Sequence, residues 1–207
     1  MVNTSYTNIS IEVPQICPQN ISEHPKDIDW FENIAKLKQN NPNNLTCSYL
    51  NINSIRNKHD SLFSMINNNI DIVCISETKL DGSFPTEQFK VPGYSLPHRK
   101  DFNINSGGML VYINDSIPST VLKKLIIPPE LHILPIEINL RKTKWLVIPI
   151  YKHPSTNDEY FLQHLNKVIE FYSSTYENII TLGDFNLEPS VPKTSSFIKS
   201  NGFYSLQ

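Results

Sequence analysis

The chain has 207 residues, of which 39% are hydrophobic and 10% aromatic, and its formal net charge at neutral pH is −2. This length fits one domain with a short extension, and the apolar content is sufficient for a buried core. The small net charge excludes a strongly basic nucleic-acid-binding chain and an acidic disordered tail. A polyanionic partner would therefore have to bind a local basic patch. Three widely spaced cysteines, Cys17, Cys47 and Cys74, indicate buried or bystander thiols and neither a disulfide framework nor a metal site.

The start of the chain predicts a poorly ordered leader. Residues 1–26 are rich in Asn, Ser, Thr and Pro and sustain neither the helical nor the strand period. No apolar run approaches the roughly 18 residues of a membrane span, and a polar string follows Met1 where a signal peptide would be apolar. We therefore expect a domain at 27–207 in an intracellular protein, of the nucleus or the cytoplasm, with no membrane partner.

The first half of this domain predicts a helix followed by a βαβ unit. Apolar residues at 27–39 fall on one helical face, and an Asn- and Pro-rich turn follows them. Residues 45–52 have the pattern of a strand, 57–68 that of an amphipathic helix, and 71–78 that of a nearly continuous apolar strand.

Strand patterns without intervening helices come next, which indicates antiparallel pairing. A helix, a strand and a last helix then close the sequence. The predicted strands are around Tyr94 and at 107–113, 119–125, 133–140 and 144–151, followed by a helix at 158–173, a strand at 178–184 and a helix at 195–200. Together these elements predict a mixed α/β fold with helices outside a largely antiparallel sheet system.

Polar side chains cluster at the carboxyl ends of three apolar strands. Asn51 and Asn53 follow the first strand, Glu77 follows the second, and Asp184 and Asn186 end the last. Carboxylate and amide oxygens converging at one edge would suit Mg²⁺, which takes oxygen ligands. Asn and Asp also end strands simply because they favour turns, but five such positions on three strands favour a site over turn chemistry alone.

Five motifs carry a resemblance to a known family. LNINSIRNK, ISETKL, SGGMLVYI, IPIYKHPS and LGDFN occur in the order seen in the endonuclease/exonuclease/phosphatase superfamily. The chain resembles the apurinic-type endonuclease domain that precedes the reverse transcriptase of non-LTR retrotransposons, over residues 45–207. This resemblance implies a deoxyribonuclease-I-like, four-layer sandwich in which two packed mixed β-sheets are flanked by helices.

The resemblance also implies catalytic roles. Asn51 matches the Asn that orients the active site, and Glu77 matches the principal metal ligand. Tyr151 matches the Tyr that approaches the scissile phosphate. Asp184 and Asn186 match the pair that positions the attacking water and stabilises the pentacoordinate phosphorane.

A metal and phosphate contacts follow from the same resemblance. Asn53 stands where many members have a metal-side Asp, so Asn53 and Glu77 are the expected metal positions, for Mg²⁺ with Mn²⁺ as a second option. Six basic residues flank the matched motifs: Arg56, Lys58, Lys79, Arg99, Lys100 and Lys152. Of these, Arg56, Lys79 and Lys152 could contact phosphates there, or could be ordinary solvated cations.

One departure from the superfamily pattern concerns the end of the sequence. Members continue with a strand that carries an Asp and with a Ser-Asp-His motif whose His binds the scissile phosphate or relays a proton. The 207 residues contain neither, and none of the six histidines is a convincing replacement. This predicts a fold that is incomplete at its C-terminus, lacking the final strands.

The resulting functional hypothesis is a Mg²⁺-dependent DNA endonuclease domain of retroelement origin, which nicks a target site for reverse transcription. DNA is the expected partner, with a reverse transcriptase domain in the full-length gene product. Two alternatives stay open. One is a phosphoesterase of the same fold that acts on a small phosphate ester or a phospholipid, and the other is an inactive domain fragment.

Overall fold

A computed structural model of the protein describes residues 26–66, 70–187 and 192–201. The leader expected at 1–26 lies outside the described residues except for Lys26, which begins the first helix. The expected order of the elements is found. The described residues form helices α1 (Lys26–Asn40), α2 (His59–Met65), α3 (Asp158–Ser173) and α4 (Pro192–Ser200), and a 3₁₀ turn (Thr86–Phe89). Their strands are β1 (Cys47–Asn51), β2 (Ile72–Ser76), β3 (His98–Lys100), β4 (Met109–Ile113), β5 (Ser119–Val121), β6 (His132–Ile133), β7 (Ile136–Leu140), β8 (Thr143–Tyr151) and β9 (Asn178–Asp184).

The first sheet has the strand order β1-β2-β4-β3. β1 and β2 are parallel and are joined through α2, as the βαβ pattern predicts, whereas β4 runs antiparallel to both β2 and β3. Parallel pairing places the carboxyl ends of β1 and β2 at the same edge of the sheet. That edge carries the first two of the predicted polar clusters.

The second sheet is built around β8, the longest strand. β7 and β6 pair antiparallel with β8 in succession, β5 pairs with β7, and β9 pairs with β8 in parallel. Because β9 pairs with one edge of β8 from Trp145 to Tyr151, β6 must pair with the opposite edge of β8. The carboxyl ends of β8 and β9 therefore coincide, at Tyr151 and Asp184.

Three apolar clusters separate four layers. The central cluster lies between the two sheets and includes Cys47, Ile72 and Cys74. Successive side chains of β2 point to opposite faces of the sheet, so Val73 and Ile75 lie in a second cluster, between the first sheet and α2. A third cluster lies between the second sheet and α3. Helix, sheet, sheet and helix thus stack as the fold prediction requires. Burial in the central cluster raises the pKa of the Cys47 thiol to about 12.

Some strand predictions need correction. Residues 98–100 form β3, which the sequence analysis did not identify, while Tyr94 makes only an isolated bridge to Asn114. The strand predicted at 133–140 is interrupted between β6 and β7 by Pro135, which has no backbone N–H to donate.

No helix in the described ranges is long and apolar enough to cross a membrane.

Gly183 sets the distance between β8 and β9 next to Asp184. It pairs with Ile150 across the two strands and has a φ of +139°, a conformation that favours glycine. A Cβ atom at this position would lie 1.8 Å from the carbonyl oxygen of Ile150. The parallel pairing beside Asp184 therefore depends on the absence of a side chain.

We predict that Gly183→Ala lowers the free energy of unfolding by about 3 kcal/mol or more, because steric overlap and backbone strain add. Chemical denaturation monitored by circular dichroism measures the change. Gly82→Ala is the matched control, since a Cβ atom added there would have no other atom within 4 Å and the backbone φ is not positive. Equal stability of the two variants would contradict the role of Gly183.

Candidate active site

The predicted polar residues converge at one edge of the two sheets. Asn51 ends β1, and Glu77 directly follows β2 in the first sheet. Tyr151 ends β8, and Asp184 ends β9 in the second sheet. The convergence expected from strand order is therefore present in the fold.

Glu77 is the centre of the first group of contacts. Its Oε1 atom accepts a hydrogen bond of 2.9 Å from Asn51 Nδ2 and one of 3.0 Å from the Tyr151 hydroxyl. Burial raises the pKa of Tyr151, and the charges of Glu77 and Asp184 raise it further. The phenol is therefore held protonated, as a hydrogen-bond donor.

Asp184 and Asn186 form the second group. The backbone N–H of Asn186 donates to Asp184 Oδ1 at 3.0 Å, and Asn186 Nδ2 donates to the carbonyl oxygen of Lys152 at 2.8 Å. Tyr49 connects this group to the first sheet. Its hydroxyl lies 2.6 Å from Ser76 Oγ, and its pKa is raised by burial and also by the nearby Asp184 carboxylate.

The backbone around the site is unusual. Of the seven described non-glycine residues with positive φ, five lie at or next to the predicted site positions, and two form the turn between β7 and β8. The five are Asn53 (45°), Ser54 (80°), Glu77 (53°), Lys79 (54°) and Asn186 (42°). Such conformations cost free energy and persist only where the surroundings enforce them, which is typical of functional sites.

Hydrogen bonds between two loops enforce this backbone. Ser54 N donates to the carbonyl oxygen of Glu77 at 2.7 Å, and Ile55 N donates to that of Thr78 at 3.1 Å. Thr78 and Lys79 in turn donate to the carbonyl oxygens of Gly108 and Gly107. The loops after β1 and β2 and the two glycines before β4 therefore form one connected wall of the site.

The three basic residues expected at the rim differ in their surroundings. Lys79 Nζ donates to Asn53 Oδ1, and Arg56, which is exposed, donates through Nη2 to the carbonyl oxygen of Ile104 at 3.3 Å. Lys152 is only 2% exposed, and its Nζ lies 2.7 Å from Asp158 Oδ1. A phosphate contact by Lys152 therefore does not fit its placement, because its ammonium is buried against a carboxylate.

The oxygen atoms of the site fit a hard divalent cation that keeps most of its water ligands. No group of three or more His, Cys, Asp or Glu side chains that could hold a metal occurs in the described ranges. Glu77 nevertheless has a second oxygen, Oε2, that accepts no hydrogen bond from any described residue. Mg²⁺ is commonly held through one or two carboxylates and keeps several waters, so this oxygen is a suitable ligand. The amide oxygen of Asn53, by contrast, already accepts from Lys79.

Sequence reasoning missed three polar residues of this region. Tyr49 could have been found, since it stands two residues before Asn51 and so shares its face of β1. Ser76 had a weaker signal, as a polar residue at the end of an apolar strand. His132 was only one of the six histidines that do not replace the His of the Ser-Asp-His motif, and the structure shows its ring stacked on Tyr151 with centroids 5.4 Å apart. Its position depends on the pairing of β6 with β8, which no local pattern reveals.

The environment of His132 predicts a pH dependence of stability. Burial, followed by the charges of Lys100 and His153, lowers the pKa of His132 from 6.5 to about 4. Below pH 6.5 the unfolded chain binds a proton that the folded chain does not, so this residue reduces stability as the pH falls toward 4. The full reduction from this residue is on the order of 3 kcal/mol.

Urea denaturation of the wild type and of His132→Phe between pH 7 and pH 4 measures this effect. The other titrating groups are common to both proteins, so the difference between their stabilities isolates His132. We expect the variant to lose less stability than the wild type as the pH falls. A constant difference across this range would show that His132 titrates normally in the folded protein.

Comparison with known proteins gives a family and a fold. Residues 48–200 match the model of the Endonuclease/Exonuclease/phosphatase family. No curated protein sequence matches the chain. Three solved structures with the same fold are an AP endonuclease from Archaeoglobus fulgidus, the endonuclease domain of TRAS1, a telomere-specific non-LTR retrotransposon, and D. rerio TDP2 complexed with single strand DNA product.

The similarity to these structures extends over most of the chain at low sequence identity. The A. fulgidus enzyme is 24% identical over 71% of this chain and 59% of its own, with a TM-score of 0.51. TRAS1 is 11% identical over 70% and 64%, with a TM-score of 0.51, and TDP2 is 14% identical over 78% and 66%, with a TM-score of 0.54. The chain thus spans about three fifths to two thirds of the length of these structures, and the likeness establishes the fold.

Proposed function

Because the chain belongs to the Endonuclease/Exonuclease/phosphatase family, we propose that it is a Mg²⁺-dependent endonuclease domain that hydrolyses phosphodiester bonds in DNA. The observation that carries the proposal is the convergence of Glu77, Tyr151 and Asp184 at one edge of the two sheets. DNA as substrate is supported by the TDP2 structure, which shares the fold and holds a single strand DNA product.

Phosphodiester hydrolysis needs an activated water and a means of stabilising the additional negative charge on the phosphate. A bound Mg²⁺ would act as a Lewis acid on a phosphate oxygen. Glu77 would hold the cation through Oε2. The amide oxygen of Asn53 would become available as a second ligand once Lys79 no longer donates its hydrogen bond to it. Asp184 has the chemistry to orient the attacking water and accept its proton, and the hydrogen bond from the Asn186 backbone fixes its carboxylate.

Uncharged donors are suited to stabilising the charge on the phosphate, because they contact phosphate oxygens without the repulsion that further carboxylates would cause. An amide group carries two hydrogens, so Asn51 and Asn186 each retain one beyond the hydrogen bonds already described. Tyr151 is held as a protonated phenol beside Glu77. Its single hydroxyl hydrogen is donated to Glu77 and would have to turn to a phosphate oxygen when the substrate binds. With that change these three residues would bind the phosphate, while the two carboxylates would serve the metal and the water.

A retroelement origin is the finer part of the proposal. It rests on the strings NINSIR, SETKL and YKHP, and the TRAS1 domain shows that a retrotransposon endonuclease has this fold. In such an element the nick would leave a 3′ hydroxyl for reverse transcription, and a reverse transcriptase domain would be the functional partner.

A plasmid-nicking assay tests the endonuclease activity. We expect the protein to convert supercoiled DNA to the open circle in Mg²⁺, and Glu77→Gln to lower the rate about 100-fold or more, because a metal ligand is lost. Glu177→Gln is the matched control, since Glu177 is exposed and precedes β9 at the end remote from Asp184. Cleavage of small phosphate esters with no nicking would favour the alternative phosphoesterase, and no hydrolysis of either would favour an inactive fragment.

Metal binding is testable without turnover. Isothermal titration of Mg²⁺ into the wild type should give one site that Glu77→Gln weakens about 10-fold or more, because the neutral amide replaces the charged ligand. Glu177→Gln should bind as the wild type does. Equal Mg²⁺ affinities for the wild type and Glu77→Gln would remove Glu77 from the metal site.

A further inference from the structure

His132 occupies a closed slot behind Tyr151. It is 1% exposed, and neither ring nitrogen has a hydrogen-bond partner among the described residues. His132 and Tyr151 are paired residues on neighbouring strands, β6 and β8, and their rings stack at an interplanar angle of 28°. Cross-strand partners point to the same face of a sheet, so the two strands fix this stack.

Two further residues define the slot. The ring of Phe102 packs edge-on against His132 with centroids 4.9 Å apart. Gly107 borders the slot on another side, where an added Cβ would lie 2.6 Å from His132 Cε1. Because Gly107 has no side chain, the imidazole can fill this space. His132 is therefore confined by Tyr151, Phe102 and the Gly107 backbone.

We propose that His132 is a positioning residue for Tyr151, acting through its ring face and not through its nitrogens. The Tyr151 hydroxyl oxygen lies on the Cβ–Cζ axis of the side chain, so it reaches Glu77 Oε1 only while that axis keeps its present direction. The stacked imidazole blocks a swing of the Tyr151 side chain about its Cα–Cβ bond into the slot. The inference rests on the proposed function for its catalytic consequence, because the residue that His132 positions is one of the proposed phosphate-binding groups.

The burial of His132 distinguishes this role from direct catalysis. A general acid or base must come within hydrogen-bond reach of the reacting atoms. His132 is buried, with its ring stacked on Tyr151 and in edge-on contact with Phe102. A flat apolar ring at position 132 should therefore preserve the function, whereas removal of the ring should impair it.

Steady-state nicking kinetics of three variants test the catalytic consequence. His132→Ala removes the stacked ring and should lower kcat about 10- to 100-fold with little change in KM, because small displacements of a reacting group cost rate. His132→Phe restores a ring and should recover kcat to within about threefold of the wild type. Leu165→Ala, which removes a buried side chain of α3, controls for lost stability and should retain kcat.

A second readout does not require activity. Incorporation of 3-fluorotyrosine at position 151 allows the orientation of its ring to be followed by ¹⁹F NMR. The wild type, Leu165→Ala and His132→Phe should each give one resonance at closely similar shifts. His132→Ala should give a shifted and broadened resonance or several resonances, because the ring can then take more than one orientation.

The outcomes separate the two proposals. An unchanged ¹⁹F spectrum in His132→Ala would overturn the positioning role, as would equal kcat values for His132→Ala and the wild type. If His132→Phe does not fold, the comparison of His132→Ala with Leu165→Ala still decides. If the wild-type protein cuts no DNA in Mg²⁺, the proposed function fails, and the ¹⁹F spectra alone then support or overturn the inference.

Discussion

The hydrogen bond from Tyr151 to Glu77 is the interaction on which the site depends, because it joins the end of β8 in one sheet to the residue after β2 in the other. The apolar core between the sheets stabilises their packing, but hydrophobic contact has no direction and does not fix the relative position of two polar groups. A hydrogen bond made by a buried phenol does fix it, since an unpaired polar group is costly away from water. The site is thus a junction between sheets.

The strained backbone at this junction is likewise held in place by hydrogen bonds. Glu77 and Lys79 adopt left-handed conformations that neither residue prefers, and the backbone hydrogen bonds to Ser54 and Gly107 hold them there. A relaxed backbone would carry Glu77 away from Asn51 and Tyr151. Free energy gained in the three apolar clusters therefore compensates for an arrangement that is locally unfavourable.

Sequence patterns predicted the helices and most strands, because apolar periodicity records which face of an element is buried, whereas the four layers were implied by the resemblance to the superfamily. They also predicted that Asn51, Glu77 and Asp184 would lie at strand ends near one another. Parallel pairing explains why Asn51 and Glu77 share an edge, whereas the approach of Asp184 depends on the packing of the second sheet on the first. They could not place β3, whose three residues show no usable period, nor His132, whose neighbour is set by the register of β6 against β8. The burial of Lys152 was equally hidden, because it results from the docking of α3 and the pairing of Lys152 with Asp158.

The two buried cysteines give the interior between the sheets a distinct chemical property. The thiolate is the reactive form of cysteine, and the raised pKa of Cys47 and of Cys74 makes that form scarce at neutral pH. Alkylating reagents can reach these sulfur atoms only when the sheets part, since both residues lie in the central cluster. The rate at which Cys47 and Cys74 are modified therefore measures how often the two sheets come apart.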